Sequence, residues 1–189
     1  MQGVNETGLS SLRPPVICAE RAGAGAPARL AARAVTAAAS VGSVAGATPK
    51  DVKIKNTVQL ISSVSNGDIA SVRALIQAGA DVKAIDNDGM TLLHLASSKG
   101  HTEVAKLLIA RGADVNTPNN NGVTPVHIAA LQGHADAIGV LKELGADVNQ
   151  PDNNGVTPVF IAAENGHVDA IRVLKELEAD VNQPDNLRV

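Results

Sequence analysis

Five histidines are the side chains in this sequence that could most readily bind a metal or move a proton. Each has a counterpart 33 residues away along the chain: His94, His101, His127, His134 and His167. A zinc site would require a pair such as His-x₃-His on one helix or a cluster of cysteines, and the sequence has neither. We therefore interpret the histidines as structural and predict that the chain holds no metal and no cofactor.

The carboxylates follow the same spacing as the histidines. Asp114, Asp147 and Asp180 occupy one recurring position, where an aspartate is better suited to bonding turn amides than to acid catalysis. The sequence contains no Gly-x-Ser-x-Gly elbow and no Walker phosphate loop. It therefore predicts that the chain is not an enzyme.

The period of 33 residues extends over most of the chain, so repeated elements must position these side chains. Thr91, Thr124 and Thr157 mark the period, and residues 120–152 and 153–185 differ at only six of 33 positions. A fixed period of this size is typical of proteins built from stacked repeats.

Each period contains the signals for two short helices. Thr124 followed by Pro125 predicts a helix start, because threonine can cap a free N–H and proline suits the first helical position. Gly133 ends that helix. A second helix extends from His134 until Gly145, which is expected to adopt the left-handed conformation.

A tight hairpin-type turn is predicted between one helix pair and the next. Its signals are the steps Asp88-Gly89, Asn121-Gly122 and Asn154-Gly155. A unit made of one turn and two short helices cannot bury its apolar stripe alone, so it has to stack on its neighbours.

Several motifs in a fixed order resemble the ankyrin repeat. They are Thr124-Pro125-Val126-His127, Ala129-Ala130, Gly133-His134 and Gly145-Ala146-Asp147-Val148-Asn149. The resemblance implies an all-α fold, an ankyrin-repeat α-solenoid in which helix-turn-helix pairs are linked by β-hairpin-type turns. We expect a repeat domain over residues 51–189. Its parts are a degenerate first repeat (55–86), three full repeats (87–119, 120–152 and 153–185) and a truncated end (186–189).

Some positions depart from the ankyrin pattern. Phe160 replaces the histidine that in the family ties neighbouring loops together, and Leu92 replaces a proline. Glu178 replaces the helix-ending glycine, which we expect to cost about 1 kcal/mol, and Gly139 within a helix costs a similar amount. In animal members of the family, asparagines at one loop position can be hydroxylated; the matching residues are Asn116, Asn149 and Asn182.

Residues 1–50 differ in character from the rest of the chain. They hold thirteen alanines, five basic residues and two acidic residues, with no sustained apolar period. Too little apolar surface is available to offset the entropy lost on ordering the backbone, so we predict a disordered tail. The alternative is an organelle transit peptide, since the segment carries arginine and serine and few acids.

Charge and composition restrict the partner and the compartment. Residues 51–189 carry 11 basic and 17 acidic side chains, which argues against binding to a nucleic-acid backbone. No stretch is apolar enough to predict a membrane span. We expect a monomer. We expect it in the cytoplasm, because the lone Cys18 fits a reducing compartment. Organelle import through the first 50 residues is the alternative.

Ankyrin repeats bind partners through their turn tips and the exposed positions of their first helices, so the resemblance implies a binding face here. The turn-tip residues are Asn87, Asp88, Met90, Asn120, Asn121, Val123, Asn153, Asn154 and Val156. The helix residues are Ser98, Lys99, Leu131, Gln132, Glu164 and Asn165. The last two repeats differ within this set, as expected for change at a binding face or for drift on an exposed surface.

The sequence thus predicts a non-catalytic protein–protein interaction module, an adaptor or scaffold with a preformed concave face. The face lacks Trp, Tyr and Arg, which dominate tight interfaces, so we expect micromolar affinity. Two alternatives accompany this prediction. The repeats could be a regulatory fragment of a larger enzyme or channel, or a structural array without a specific partner.

Overall fold

The computed structural model describes residues 48–180, which form four consecutive helix pairs. The first helices of the pairs are α1 (Pro49–Asn66), α3 (Leu92–Ser98), α5 (Pro125–Gln132) and α7 (Pro158–Glu164). The second helices are α2 (Ile69–Gln77), α4 (Thr102–Ala110), α6 (Ala135–Glu143) and α8 (Val168–Glu176). The predictions for the tail before residue 48, for Asn182 and for the end at 186–189 lie outside the described residues.

The helices form two stacked rows. The first helices α1, α3, α5 and α7 each pack on the next one along, and the second helices α2, α4, α6 and α8 do the same. Over residues 48–180 the regular elements are helices, and a single antiparallel bridge joins Ile85 to Thr91 at the base of a turn. The prediction of an all-α solenoid of ankyrin type is confirmed in its architecture of stacked helix pairs.

Three of the first helices begin where the sequence predicts. Thr91, Thr124 and Thr157 are the N-caps of α3, α5 and α7. The Oγ1 atom of Thr91 accepts the N–H of His94 at 3.3 Å. Leu92 opens α3 where prolines open α5 and α7, so the cap is sufficient to start this helix without proline.

Helix α1 begins earlier than the degenerate repeat predicted from residue 55. Its start is fixed by a capping box between Thr48 and Asp51, with Pro49 at the first helical position. The Asp51 N–H donates to Thr48 Oγ1 at 3.3 Å, and the Thr48 N–H donates to Asp51 Oδ2 at 3.0 Å. The hydrogen bond from the Thr48 hydroxyl lowers the pKa of the Asp51 carboxyl.

The turns that end the helices use left-handed backbone, as predicted. Gly133 has φ 72° after α5, and Gly145 has φ 95° after α6. The equivalent position after α8 holds Glu178 with φ 63°, and among the described residues it is the non-glycine residue with positive φ. The side chain of Glu178 therefore strains a turn that glycine closes without strain elsewhere.

The interior consists of two clusters of apolar side chains. The larger one lies between the two rows of helices and contains only Ala, Val, Leu and Ile. The smaller one is built from turn tips and first helices, and we call it the turn-tip cluster. Its buried members are Met90, Val123, Ile128, Leu131, Val156 and Ile161, with Phe160 packed partly buried against them.

Candidate protein-binding surface

Each turn tip is closed by one polar side chain that the sequence analysis did not single out. The Oδ1 atom of Asn119 accepts the N–H groups of Asn121 and Val123, both at 2.9 Å. Asp86 and Asp152 make the same pair of bonds in the repeats on either side. The signal in the sequence is an aspartate or asparagine two residues before each Asp-Gly or Asn-Gly step. A side-chain oxygen that accepts two turn amides holds the tip in one conformation.

Hydrogen bonds join the tips into a row. The Asn120 N–H donates to the Asp88 carbonyl and the Asn153 N–H to the Asn121 carbonyl, both at 3.0 Å. The side-chain amides repeat these links, because Asn120 Nδ2 donates to the Asn87 carbonyl at 2.8 Å and Asn153 Nδ2 to the Asn120 carbonyl at 3.1 Å. We call this surface the turn-tip row (residues 87–88, 120–121 and 153–154).

Two buried histidines attach the turn tips to the first helices. The Nδ1 atom of His94 accepts the Thr91 N–H at 3.1 Å, so its proton lies on Nε2, which donates to the Val123 carbonyl at 2.9 Å. Burial lowers the pKa of His94 to about 4. His127 repeats the arrangement with its Nε2 3.1 Å from the Val156 carbonyl, and burial lowers its pKa to about 4 as well. Both rings are neutral near neutral pH and have a structural role, as predicted.

The other three histidines connect successive helix pairs. Each donates from Nε2 to a carbonyl near the end of the first helix of the previous repeat. The bonds run from His101 to Ser65 at 3.1 Å, from His134 to Ser98 at 3.2 Å and from His167 to Leu131 at 2.9 Å. Their rings also lie over the glycines that follow those helices. These three histidines therefore also have a structural role, because they join each helix pair to the one before it.

Eleven of the fifteen residues predicted for the binding face are accessible. Asn87, Lys99, Asn120, Asn121, Gln132, Asn153, Glu164 and Asn165 are exposed, and Asp88, Ser98 and Asn154 are half-buried. The hydrogen bonds of the turn-tip row hold the tip residues side by side, and the stacking of α3, α5 and α7 does the same for the helix residues. The turn-tip cluster, which takes members from both sets of elements, connects them.

A comparison with protein families identifies the array. The chain matches the family described as ankyrin repeats (3 copies) over residues 37–119, 60–152 and 115–185. The chain belongs to the ankyrin-repeat family. Ankyrin repeats are generally protein-interaction modules, in agreement with the accessible polar surface described above. A comparison with curated proteins gave no match.

Four residues predicted for the ankyrin face are buried instead. Met90, Val123, Leu131 and Val156 are at most 7% exposed and belong to the turn-tip cluster. Their placement on an accessible face was wrong. The apolar residue after each Asp-Gly or Asn-Gly step turns inward, because it covers the first helices that would otherwise leave apolar surface in water.

The ionisable side chains of the accessible ankyrin face are spread along it. Asp88 and Lys99 lie in the second repeat and Glu164 in the fourth, with the uncharged Gln132 between Lys99 and Glu164. Among residues 48–180, no group of three or more His, Cys, Asp or Glu side chains could hold a metal ion. None of the helices in that part of the chain is long and apolar enough to cross a membrane.

Proposed function

We propose that this ankyrin array is a non-catalytic protein–protein interaction module that acts as a monomeric adaptor or scaffold. The observation that supports the proposal is the turn-tip row, in which hydrogen bonds between repeats align accessible carboxamides. A surface that is ordered before binding loses little conformational entropy when a partner arrives. The partner contacts the eleven accessible residues, and the four buried ones support the surface from beneath.

The chemistry of the face favours a polar, extended partner segment. Carboxamides at the turn tips can donate to and accept from a peptide backbone. Among the accessible first-helix positions, Lys99 and Glu164 carry opposite charges. An acidic residue of the partner therefore lies near Lys99 and a basic residue near Glu164. Because the face carries no Trp, Tyr or Arg, we expect micromolar affinity.

The test is a pull-down from an extract of the source cells with the whole chain as bait, read by mass spectrometry. The altered bait carries Lys99→Glu, Gln132→Glu and Glu164→Lys. A matched control carries Lys142→Glu, Gln77→Glu and Glu176→Lys, which make the same charge changes at exposed positions of the second helices. Circular dichroism first confirms that all three baits are equally helical.

We expect some proteins to be captured by the wild-type and control baits and lost with the altered bait. Their affinity, measured afterwards with purified protein, should be micromolar and should fall at least tenfold with the altered face. Identical captures by all three baits would exclude the face from binding. They would favour an array whose role is structural.

A further inference from the structure

The loop after each second helix presents a backbone carbonyl and, two or three residues later, a backbone N–H. In the third repeat a single side chain bonds both groups. Asn116, from the preceding repeat, donates from Nδ2 to the Gly145 carbonyl at 3.1 Å and accepts the Asp147 N–H on Oδ1 at 2.9 Å. The carboxamide therefore bridges two neighbouring loops with one donor and one acceptor.

Side chains also bond the corresponding carbonyl and N–H groups in the fourth and first repeats. Asn149 donates to the Glu178 carbonyl at 3.4 Å and accepts the Asp180 N–H at 2.8 Å. In the first repeat, Asn56 and Thr57 of α1 supply the donor and the acceptor to the loop after α2, at 2.8 and 2.9 Å. Three of the four loops thus receive both hydrogen bonds from side chains of this chain.

The loop of the second repeat receives neither bond. Lys83 stands where the next two repeats have asparagine, and an ammonium group has no acceptor for an N–H. Within residues 48–180, the Gly112 carbonyl and the Asp114 N–H make no hydrogen bond to the protein. The turn that carries Lys83 keeps the local bond of the later repeats, because the Lys83 N–H donates to Asp81 Oδ1 at 3.0 Å as the Asn116 N–H donates to Asp114 Oδ1 at 2.9 Å.

A cleft of about 290 Å³ lies at this junction between the first and second repeats. The unpaired groups of Gly112 and Asp114 belong to residues that line it, beside the apolar side chains of Val82 and Ile85. Ile85 is 64% exposed, one of the largest exposures of an aliphatic side chain in the described part of the chain. The cleft therefore combines the exposed side chain of Ile85 with one backbone donor and one backbone acceptor that have no protein partner among the described residues.

We propose that this cleft is a docking site for a side-chain carboxamide, from an asparagine or glutamine on a partner protein segment, with an aliphatic neighbour that covers Ile85. The carboxamide makes the two bonds that Asn116 and Asn149 make inside the array. A carboxylate lacks the donor that the Gly112 carbonyl needs, and a lysine or arginine lacks the acceptor that the Asp114 N–H needs. No residue of the turn-tip row lines the site, which does not depend on the function proposed for that row.

The test uses a phage-displayed library of random dodecapeptides selected on the whole chain. Lys83→Asn places the missing carboxamide inside the protein, so it closes the cleft and raises the midpoint of thermal unfolding. Peptides selected on the wild type should be enriched in Asn or Gln next to an aliphatic residue. They should bind Lys83→Asn at least tenfold more weakly, and they should shift the Asp114 amide resonance of the wild-type chain in NMR spectra.

The reciprocal variant Asn116→Lys opens the equivalent cleft at the next junction and should add a second site for the same peptides. Enriched peptides that lack Asn and Gln would overturn the proposal. So would equal affinity for the wild type and for Lys83→Asn, or a selection that enriches nothing. Because Lys83→Asn adds hydrogen bonds to a folded array, its result stands even where Asn116→Lys fails to fold.

Discussion

Two buried histidine side chains make the stability of this array depend on pH. His94 and His127 have pKa values of about 4 in the folded chain, lowered by burial from 6.5. The unfolded chain therefore binds protons at higher pH than the folded chain does. The full contribution to stability is present above about pH 6.5 and is lost as the pH falls towards about 4.

We predict that the free energy of unfolding at about pH 5 is lower than at about pH 7.5 by roughly 2 kcal/mol per buried histidine. Urea denaturation at the two pH values measures it. His127→Phe is the control, because Phe160 occupies the equivalent place in the next repeat. The variant should lose the share of the pH dependence that His127 carries. An unchanged difference between the two pH values would show that His127 is not a neutral, buried group.

The glycines that follow the first helices differ in what surrounds them. A Cβ atom on Gly133 would lie 2.6 Å from Nδ1 of His167, whereas a Cβ on Gly166 has no neighbour within 4 Å. Both residues are left-handed, with φ 72° and 70°. Alanine at either position should therefore cost about 1 kcal/mol in backbone strain. Only Gly133→Ala should add the displacement of His167 and the weakening of its bond to Leu131.

We predict that Gly133→Ala lowers the free energy of unfolding by at least about 1 kcal/mol more than Gly166→Ala does. Chemical denaturation of the two variants under identical conditions provides the comparison. Equal losses would mean that the His167 ring does not rest on Gly133 in solution.

At the scale of one helix, the end of α8 is the strained element. Glu178 holds φ 63°, while Gly145 closes the equivalent turn after α6 with φ 95°. We predict that Glu178→Gly raises the free energy of unfolding by about 1 kcal/mol. The backbone carbonyl that Asn149 bonds is retained in this variant.

The reciprocal change, Gly145→Glu, should lower the free energy of unfolding by a similar amount, because it introduces the same left-handed backbone strain. No steric clash adds to that cost, since no atom lies within 4 Å of the added Cβ. Thermal and urea unfolding of both variants provide the measurement. A neutral effect of Glu178→Gly would place the turn after α8 in another conformation in solution.

The elements that could be predicted from the sequence are those with local causes. Thr124-Pro125 and Gly145 act on their own few residues, and the structure places a helix start and a left-handed turn there. The start of α1 has an equally local signal in Thr48 and Asp51, which the repeat boundary at residue 55 did not take into account.

The content of the binding face could be predicted only in part, because burial depends on neighbours that are distant in sequence. Val123 looks like an exposed turn residue in its own repeat, but side chains from adjacent repeats enclose it in the turn-tip cluster. Asn120 remains accessible because its bonds run along the row rather than inward. The missing bonds at Lys83 could not be predicted either, because they depend on which side chain the preceding repeat brings to each loop.

At the scale of the whole molecule, the hydrogen bonds between repeats are unevenly distributed. On its N-terminal side the third repeat has bonds from two histidines, the Asn116 carboxamide bridge and a turn-tip link. The junction between the first and second repeats has the His101 bond but no bridge at Lys83. The junction between the third and fourth repeats has the same kinds of bond as the junction before it. The first junction is therefore the least firmly bonded of the three in the described chain.

The proposed binding surface requires a turn-tip row that is ordered before any partner binds. Amide hydrogen exchange of the free chain, followed residue by residue by NMR, tests this directly at the N–H groups of Asn120 and Asn153, which donate to the neighbouring tips. We predict that both exchange at least about a hundredfold more slowly than in an unfolded peptide, as hydrogen-bonded amides of a stable element do. Exchange at the rate of an unfolded peptide would contradict the account, because the surface would then have to form on binding.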